Sequence, residues 1–344
     1  MLTVLIPTHN RPNYLWRCLD YLARTARDAI LVIADSSEQI IFEKNVSLIR
    51  EQFLDIRIVH LDCRGKGITD KYAYALSTID TPFVVACGDD DFLVYKNAVR
   101  CAEFMIENED YSHAHGRIIT FWEQTSTLHP VKRIQEYKQI KNDGVARDRL
   151  SRHFSEYHNS FYSVHRTASL RNNINEVNKL NAGRGLKERA LAALDICQGK
   201  RMMLDCLFML RQKGMTGLDE NGNRTFPDNP KNRDYFQTIS FGYDAYVQLI
   251  TRYLSHINGI DGKDKAIIIE AIKKDYEKWK RIRCASVADK RTIANRARKV
   301  IGMVRLRLRH YKTLHSIEPS DIDHYRLAVE SMQKFHALRS SACL

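Results

Sequence analysis

The first 110 residues alternate short apolar runs with segments in which apolar residues recur at steps of three and four, as from Tyr14 to Leu22. The runs predict strands and the stepped segments predict helices. Strands and helices alternating at this pitch indicate an α/β fold, a mostly parallel sheet with covering helices, whose ligands bind at the carboxyl ends of the strands. The predicted strands are Leu2–Ile6, Ile30–Ala34, Ile56–Leu61 and Phe83–Cys87; helices are also predicted at Ile41–Phe53 and Thr69–Ser77.

The pattern is less regular from residue 111 to 225 and purely helical afterwards. His113–Phe121 and Ser160–His165 predict strands, and Lys187–Cys197 predicts a helix. From about Arg233 onward only helical spacing remains. The turn-rich stretch Gly217–Asn232 lies between the two patterns. We therefore predict an α/β domain at 1–225 and an all-α C-terminal domain at 226–344.

The positive charge of the chain is concentrated in one segment. The formal net charge is +13, from 54 Lys and Arg against 41 Asp and Glu. Between Lys280 and Lys312 there are twelve bases and one acid, a net charge of +11, which leaves +2 for the rest of the chain. A nearly neutral body does not provide the extended basic surface of a nucleic-acid-binding protein, so no nucleic acid is expected as a partner.

Composition favours a reduced, cytoplasmic location. The longest apolar run, Ala29–Ala34, has six residues, against about 20 needed to cross a bilayer, so no transmembrane helix is expected. The N-terminus enters an apolar strand without a basic region or a cleavage site, and we expect no secretory signal. Eight scattered cysteines without a C-x-x-C pair indicate reduced thiols rather than a disulfide framework or a zinc site.

Three adjacent carboxylates, Asp89-Asp90-Asp91, follow the fourth predicted strand. Carboxylates at this spacing repel one another, and a divalent cation that bridges a diphosphate would supply the missing positive charge. An ordinary acidic turn is the alternative interpretation. The loop after the first strand, Pro7 to Pro12, is neither G-x-G-x-x-G nor a P-loop, which argues against a nicotinamide-binding domain.

The sequence Val4-Leu5-Ile6-Pro7-Thr8-His9-Asn10-Arg11-Pro12 resembles the start of family 2 glycosyltransferases. The segment Phe83–Phe92 resembles the strand and Asp-X-Asp element of the same family. This resemblance implies a GT-A fold, which is Rossmann-like, and a nucleotide-sugar donor. It also implies that Asp35 is the uracil-binding acid and that Lys66 and Lys71 face the base and the phosphates. The donor-binding residues implied in this way are Pro7, Thr8, Asn10, Arg11, Asp35, Lys66, Lys71, Asp89 and Arg211.

The acidic run departs from the usual Asp-X-Asp-Asp of the family. Gly88 stands where the first Asp falls and Asp90 where the second falls. The resemblance thus implies that Asp90 is the principal ligand of Mn²⁺ or Mg²⁺, with Asp89 and Asp91 as helpers. Within the family, the Asp-Asp-Asp-Phe sequence is most similar to a bacterial subgroup linked to surface polysaccharides.

The resemblance implies a general base on the acceptor side, in a Glu-Asp pair that begins a helix. The best match, Gly185–Leu191, has Glu188 in the first place and Arg189 in the second. We take Glu188 as the catalytic base and Asp195, seven residues along the same helix face, as the second candidate. A surface glutamate paired with a nearby lysine is the alternative for Glu188.

Histidines form a further polar cluster along the middle of the chain. His113 and His115 point to one side of a predicted strand and could be a metal pair, but no third ligand accompanies them at a sensible spacing. Packing or contact with the acceptor is the favoured interpretation. The segments His158–Tyr162 and His165-Arg166 resemble the acceptor-side strand of the family.

The basic segment 280–312 contains an apolar helical stripe with cations on its other faces, including Arg298, Arg305 and Arg309. Such a helix can lie on an anionic bilayer, which predicts a peripheral position at the inner membrane face. The alternative is a helix whose stripe packs on its neighbours while the cations face water.

Together these features predict a metal-dependent inverting glycosyltransferase. It would move a sugar from a nucleoside diphosphate donor, with UDP-sugars favoured, to a saccharide or lipid-linked acceptor in bacterial surface polysaccharide or glycoconjugate synthesis. The alternative is a non-catalytic protein that binds an anionic membrane or nucleic acid on a degenerate GT-A scaffold.

Overall fold

The computed structural model describes residues 1–123, 131–136, 144–213, 237, 240–257, 259–284 and 319–341. Its first four strands are β1 (Leu2–Thr8), β2 (Ile30–Asp35), β3 (Arg57–Asp62) and β4 (Phe83–Ala86), all parallel, in the order β3-β2-β1-β4. The predicted parallel sheet is confirmed. β1 continues to Thr8 because Pro7 and Thr8 still pair with Ala34 and Asp35.

Three helices connect these strands at the predicted places: α1 (Pro12–Thr25), α2 (Gln39–Gln52) and α3 (Ile68–Ser77). α1 begins with a proline in its first turn, where a backbone N–H would have no partner within the helix. It buries Tyr14, Leu15, Cys18, Leu19 and Leu22, the residues whose spacing predicted the helix.

The second half of the sheet is mixed, and part of it was not predicted. Its strands are β5 (Phe92–Leu93), β6 (Tyr111–Glu123), β7 (Val131–Glu136), β8 (Val164–Arg166) and β9 (Lys200–Lys213). The order continues β4-β8-β6-β9-β5, and β7 pairs with the C-terminal part of β6. The prediction of a strand at Ser160–His165 is wrong for 160–163, because these residues form a turn closed by Ser163 N–H donating to the Ser160 carbonyl at 3.0 Å.

Helices flank the second half of the sheet and make up the described C-terminal residues, as predicted. Among the described helices, none is long and apolar enough to cross a membrane. The predicted boundary at Gly217–Asn232, and most of the basic segment 280–312, lie outside the described residues. The helices are α4 (Tyr95–Glu107), α5 (Ala146–Ser155), α6 (Thr167–Asn178), α7 (Arg184–Gln198), α8 (Tyr243–Leu254), α9 (Gly262–Cys284) and α10 (Pro319–Ser341).

Two apolar cores lie on opposite faces of the sheet, because successive side chains of a strand alternate between faces. Leu31 and Ile33 of β2 belong to one core, which α1, α4 and α10 cover. Val32 and Ala34 belong to the other, which α3, α6, α7, α8 and α9 cover. The C-terminal helices therefore complete the packing of the sheet on both faces.

A buried ion pair joins α7 to α9. The Arg189 guanidinium contacts the Asp275 carboxylate, with both side chains less than 10% exposed. The same guanidinium lies 4.0 Å from the centre of the Tyr157 ring and 4.6 Å from that of Trp279. Arg189 occupies the second acidic place of the family pattern, so in this chain that position anchors a C-terminal helix.

Candidate active site

The loops that follow β1, β2 and β4 meet at the carboxyl edge of the sheet, as predicted. The Thr8 hydroxyl donates to Asp89 Oδ2 at 2.8 Å. Lys71 Nζ donates to the Thr8 carbonyl and to Ser36 Oγ, each at 2.9 Å. Burial lowers the pKa of Lys71 although Asp89 lies near it. Lys71 therefore ties two of the loops together beneath the site.

Arg11 bridges two of the three acids. Its Nη1 lies 2.9 Å from Asp89 Oδ1, and its Nη2 donates to Asp90 Oδ2 at 3.0 Å. The preceding Asn10 has a positive φ of 52°, a conformation that asparagine tolerates better than most residues. Asn10 N–H donates to Ser37 Oγ at 2.8 Å, and Asn10 Oδ1 accepts from Glu38 N–H at 2.9 Å. The strained loop thereby directs Arg11 at the acidic run.

The acidic run is almost entirely buried, and burial dominates its electrostatics. Asp89, Asp90 and Asp91 are 3%, 7% and 1% exposed. Burial raises the pKa of Asp89; Arg11 opposes this and the charge of Asp90 reinforces it. Burial and the charge of Asp90 raise the pKa of Asp91 well above its usual value. Carboxylates held this way gain most from an added positive charge.

Two carboxylate oxygens converge beside Gly88. A Cβ atom at position 88 would lie 2.9 Å from Asp90 Oδ1 and 3.0 Å from Asp91 Oδ2. Asp91 Oδ2 is buried and accepts no hydrogen bond. No group of three or more His, Cys, Asp or Glu side chains that could hold a metal occurs in the part of the chain that the structure describes. Two carboxylate oxygens nevertheless fit Mg²⁺ or Mn²⁺, which commonly combine one or two carboxylates with substrate phosphates.

A buried network that the sequence did not reveal fixes Asp91 from the other side. Gln212 N–H, near the end of β9, donates to Asp91 Oδ1 at 2.8 Å. Arg17 of α1 is fully buried; its Nη2 donates to Gln212 Oε1 at 2.6 Å and to the Asp90 carbonyl at 2.8 Å. The sequence signal for this network is a lone arginine, Arg17, on the apolar face of α1. Its partner Gln212 could not be identified from local sequence, because it lies 195 residues away.

Arg211, predicted from the family pattern, lies beside the acids together with a tyrosine. Its Nη2 donates to Tyr162 Oη at 3.2 Å, and its guanidinium lies 4.1 Å from the centre of that ring. The Arg211 charge counteracts the raised pKa of Asp91. Burial raises the pKa of Tyr162, and the charges of Asp91, Asp90 and Glu188 raise it further. The charges of Arg211, of the acids and of Glu188 therefore all act on Tyr162, and Arg211 contacts it directly.

The two candidate bases have opposite surroundings. The Glu188 side chain is 51% exposed, and its Oε1 lies 3.8 Å from Arg184 Nε. Asp195 is 2% exposed; it accepts from Ser160 Oγ and, at 2.8 Å, from Asn173 Nδ2. Burial raises the pKa of Asp195. Although they are seven residues apart on one helix, Glu188 is open to solvent and Asp195 lies inside.

Asp35 has no exposed surface, and three protein donors surround its carboxylate. Ser37 N–H donates to Oδ1 at 2.8 Å, Asn45 Nδ2 donates to Oδ2 at 2.7 Å, and His60 Nε2 lies 3.0 Å from Oδ2. Burial acts to raise the pKa of Asp35, but hydrogen bonds from His60, Ser37 and Asn45 outweigh it and keep the pKa below its usual value. The contact with a nucleotide base that the resemblance implies stays a prediction.

Replacing Asp35 with Ala is expected to lower the free energy of unfolding by about 1–3 kcal/mol, because buried donors lose their acceptor. This contribution is present above the usual Asp pKa of about 3.9 and is lost as the pH falls through the lowered pKa of the folded state. Urea unfolding at several pH values measures it. Asp62→Ala is the control, because its exposed carboxylate ends the neighbouring strand and pairs with Arg64. A rise in donor KM with unchanged stability would instead support the direct base contact.

The remaining predicted residues lie at the rim or in the interior. Lys66 is exposed, with Nζ 5.1 Å from the centre of the Tyr74 ring. His113 is fully buried and stacks on His165 at 5.5 Å, and burial lowers the pKa of both His113 and His115. The metal-pair interpretation of the two histidines gains no support, because they belong to no potential ligand group of three within the described residues.

Comparison with known proteins finds similarity in sequence and in fold. Residues 3–171 match the model of glycosyl transferase family 2. The crystal structure of S. aureus TarS 1-349 superimposes with a TM-score of 0.53 at 13% identity, over 99% of this chain and 91% of that one. Its complex with UDP-GlcNAc gives a TM-score of 0.53 at 14% identity, over 99% and 92%. Among curated protein sequences, none matches this chain.

The structural similarity confirms the predicted GT-A-like fold, a mostly parallel sheet with helices and a helical C-terminal region. The family match covers the sheet edge that carries Thr8, Arg11, Asp35 and Asp89–Asp91. The chain is therefore a glycosyltransferase, and its residues 3–171 match glycosyl transferase family 2.

Proposed function

We propose that the chain is a metal-dependent inverting glycosyltransferase that uses a nucleoside diphosphate sugar. The observation that carries this proposal is the convergence of Asp90 Oδ1 and Asp91 Oδ2 beside Gly88, with Asp91 Oδ2 buried and without a donor. A carboxylate oxygen is costly to bury without a partner, so a cation is the chemistry that this position favours.

The diphosphate of the donor lies, in this proposal, between Arg11 and Arg211. Both guanidiniums contact the acidic run or its neighbour Tyr162, and both can donate paired hydrogen bonds to phosphate oxygens. The N-terminus of α1 adds backbone N–H groups that favour anions. Pro7, Thr8 and Asn10 shape the loop, and Lys71 holds it. A bound Mn²⁺ or Mg²⁺ would neutralise charge on the departing diphosphate.

Uridine is the base we propose to test first. The similar TarS structure was solved with UDP-GlcNAc, and Asp35 lies at the end of β2 where the resemblance implies a uracil-binding acid. The exposed Lys66 could contact a base or a phosphate without disrupting buried hydrogen bonds. Ser37 could not, because it is fully buried and its hydroxyl accepts from Asn10 N–H.

Glu188 is the base in this proposal because its carboxylate is half-exposed and because it occupies the first acidic place of the family pattern at the start of α7. It would remove the proton of the acceptor hydroxyl while that oxygen attacks the sugar carbon from the face opposite the diphosphate. Asp195 is the weaker candidate, since it is buried and already accepts two hydrogen bonds.

Thermal unfolding with a panel of nucleoside diphosphates, each with and without Mn²⁺, tests the proposal. A ligand that binds the folded state stabilises it by RT ln(1 + [L]/Kd), so one diphosphate should raise the melting temperature more when Mn²⁺ is present. Acceptor-free hydrolysis of the matching nucleotide sugars then identifies the donor. No stabilisation by any diphosphate would reject the donor site.

A saccharide or lipid-linked acceptor of surface polysaccharide or glycoconjugate synthesis is the second part of the proposal, and the basic segment 280–312 supports it. At about 1 kcal/mol per basic residue, its cations could hold the enzyme on an anionic membrane. We expect flotation with anionic vesicles at low salt but not with neutral ones, and loss of binding when Arg298, Arg305 and Arg309 are all replaced by Glu. Equal recovery with both vesicle types, or with neither, would contradict membrane binding.

A further inference from the structure

The guanidinium of Arg11 occupies the acidic run in a way that affects any cation binding there. It contacts Asp89 Oδ1 at 2.9 Å and Asp90 Oδ2 at 3.0 Å, so it holds one oxygen of each acid. The oxygens turned towards Gly88 are Asp90 Oδ1 and Asp91 Oδ2. Asp90 therefore faces Arg11 with one oxygen and the candidate metal position with the other.

A divalent cation on Asp90 would lie close to this guanidinium. Metal–oxygen distances of about 2.0–2.6 Å place the ion next to the carboxylate that Arg11 already holds. Two positive charges a few ångströms apart in a buried site repel each other, and both draw on the same negative charge. The metal and Arg11 in its present position therefore compete for Asp90.

Arg11, which holds two of the acids directly, is also a cation of this site that can move. Its side chain is 13% exposed and extends from the residue before α1, so a change of side-chain rotamer would release it without moving the helix. Lys71 is held by the Thr8 carbonyl and Ser36 Oγ. Arg17 is fully buried and held by Gln212 and the Asp90 carbonyl.

We propose that Arg11 is an exchangeable counter-ion: it neutralises Asp89 and Asp90 before the metal binds and is transferred to the donor diphosphate when the metal takes its place. The inference rests on the proposed metal-dependent function. It has a thermodynamic consequence, because the diphosphate that accepts Arg11 also frees Asp90. Metal and diphosphate then each raise the affinity for the other by the same factor.

The test is the Kd of Mn²⁺, measured from the electron paramagnetic resonance of free Mn²⁺ at pH 8, for the wild-type chain and Arg11→Gln. We expect Arg11→Gln to bind Mn²⁺ about tenfold more tightly, although an arginine near a metal site is commonly a supporting group. Arg11→Lys keeps the charge without the two-pronged contact and should lie between the two. If Arg11→Gln does not fold, the Kd of Mn²⁺ for Arg11→Lys tests the same inference.

Arg24→Gln is the matched control, because it removes one positive charge from the other end of α1, where Arg24 pairs with Asp20 and Glu330. Its Mn²⁺ affinity should equal that of the wild-type chain. In a second arm, UDP should tighten Mn²⁺ binding by a larger factor in the wild-type chain than in Arg11→Gln, since the variant has no guanidinium to transfer.

The outcomes separate this inference from the proposed function. Weaker or unchanged Mn²⁺ binding by Arg11→Gln, in a wild-type chain that binds Mn²⁺, overturns the role of Arg11 and leaves the metal site standing. An equal effect of UDP in both chains overturns the transfer step. Absence of Mn²⁺ binding in every variant, with or without UDP, rejects the metal dependence itself.

Discussion

Asp90→Asn is expected to abolish sugar transfer, with kcat at least about 10³-fold lower at saturating donor. Asp90 contributes one of the two carboxylate oxygens beside Gly88, and its charge favours the cation that stabilises the leaving diphosphate. The amide keeps the shape of the side chain and relieves repulsion among three crowded carboxylates. We therefore expect the melting temperature to stay within a few degrees of the wild-type value, so that lost activity reflects lost chemistry.

Asp89→Asn is the matched control for this prediction. Both oxygens of Asp89 are already engaged, one by Arg11 and one by the Thr8 hydroxyl. The Asp89→Asn substitution removes the same charge one residue away, but it leaves the two carboxylate oxygens beside Gly88 in place. Its kcat should fall much less than that of Asp90→Asn. Equal losses of kcat in the two variants would show that the total charge of the acidic run matters, and not the placement of Asp90. Near wild-type activity of Asp90→Asn would reject Asp90 as a metal ligand.

Glu188→Gln is expected to lower kcat by about 10² to 10⁴, with little change in donor KM, as for the loss of a general base. The amide retains the size and polarity of the side chain but cannot accept the proton of the acceptor hydroxyl. In the wild-type chain the rate should fall towards low pH as the base becomes protonated, and this fall should be absent in the variant. Steady-state kinetics as a function of pH measures both effects.

Asp195→Asn separates the two candidate bases. Asp195 accepts hydrogen bonds from Ser160 and Asn173 in the interior, so its replacement should lower the free energy of unfolding by about 1–3 kcal/mol. Its kcat per folded molecule should stay close to the wild-type value. A kinetic loss confined to Asp195→Asn, with Glu188→Gln active, would move the base to Asp195.

Periodicity was sufficient to predict the N-terminal half of the sheet. Each of the first four strands is a short apolar run between polar turns, and each intervening helix has an apolar face at steps of three and four. β9 was not predicted, because Lys200–Lys213 follows a helix directly and carries no alternation of polar and apolar residues. Its position in the sheet comes from pairing with β6, about 90 residues earlier in the chain.

The sequence by itself determined the sheet edge and the residues placed on it. Thr8 and Asp35 end buried strands and Asp89 follows one, and parallel strands bring their carboxyl ends together at one edge of the sheet. It also indicated Glu188 and Arg211 through the family pattern, and Asp195 through its place on the same helix face as Glu188. Those positions depend on local sequence, which explains why they could be read without a structure.

Only the tertiary structure decided what these residues can do. In the folded chain, Arg11 contacts one oxygen of Asp89 and one oxygen of Asp90. Protein donors surround Asp35 and Asp195, whereas Glu188 is half-exposed. The tertiary structure also joined Arg17 and Gln212 beneath the acidic run, across 195 positions of sequence. Burial and hydrogen-bond partners are set by contacts between distant segments, and neither periodicity nor a local motif contains that information.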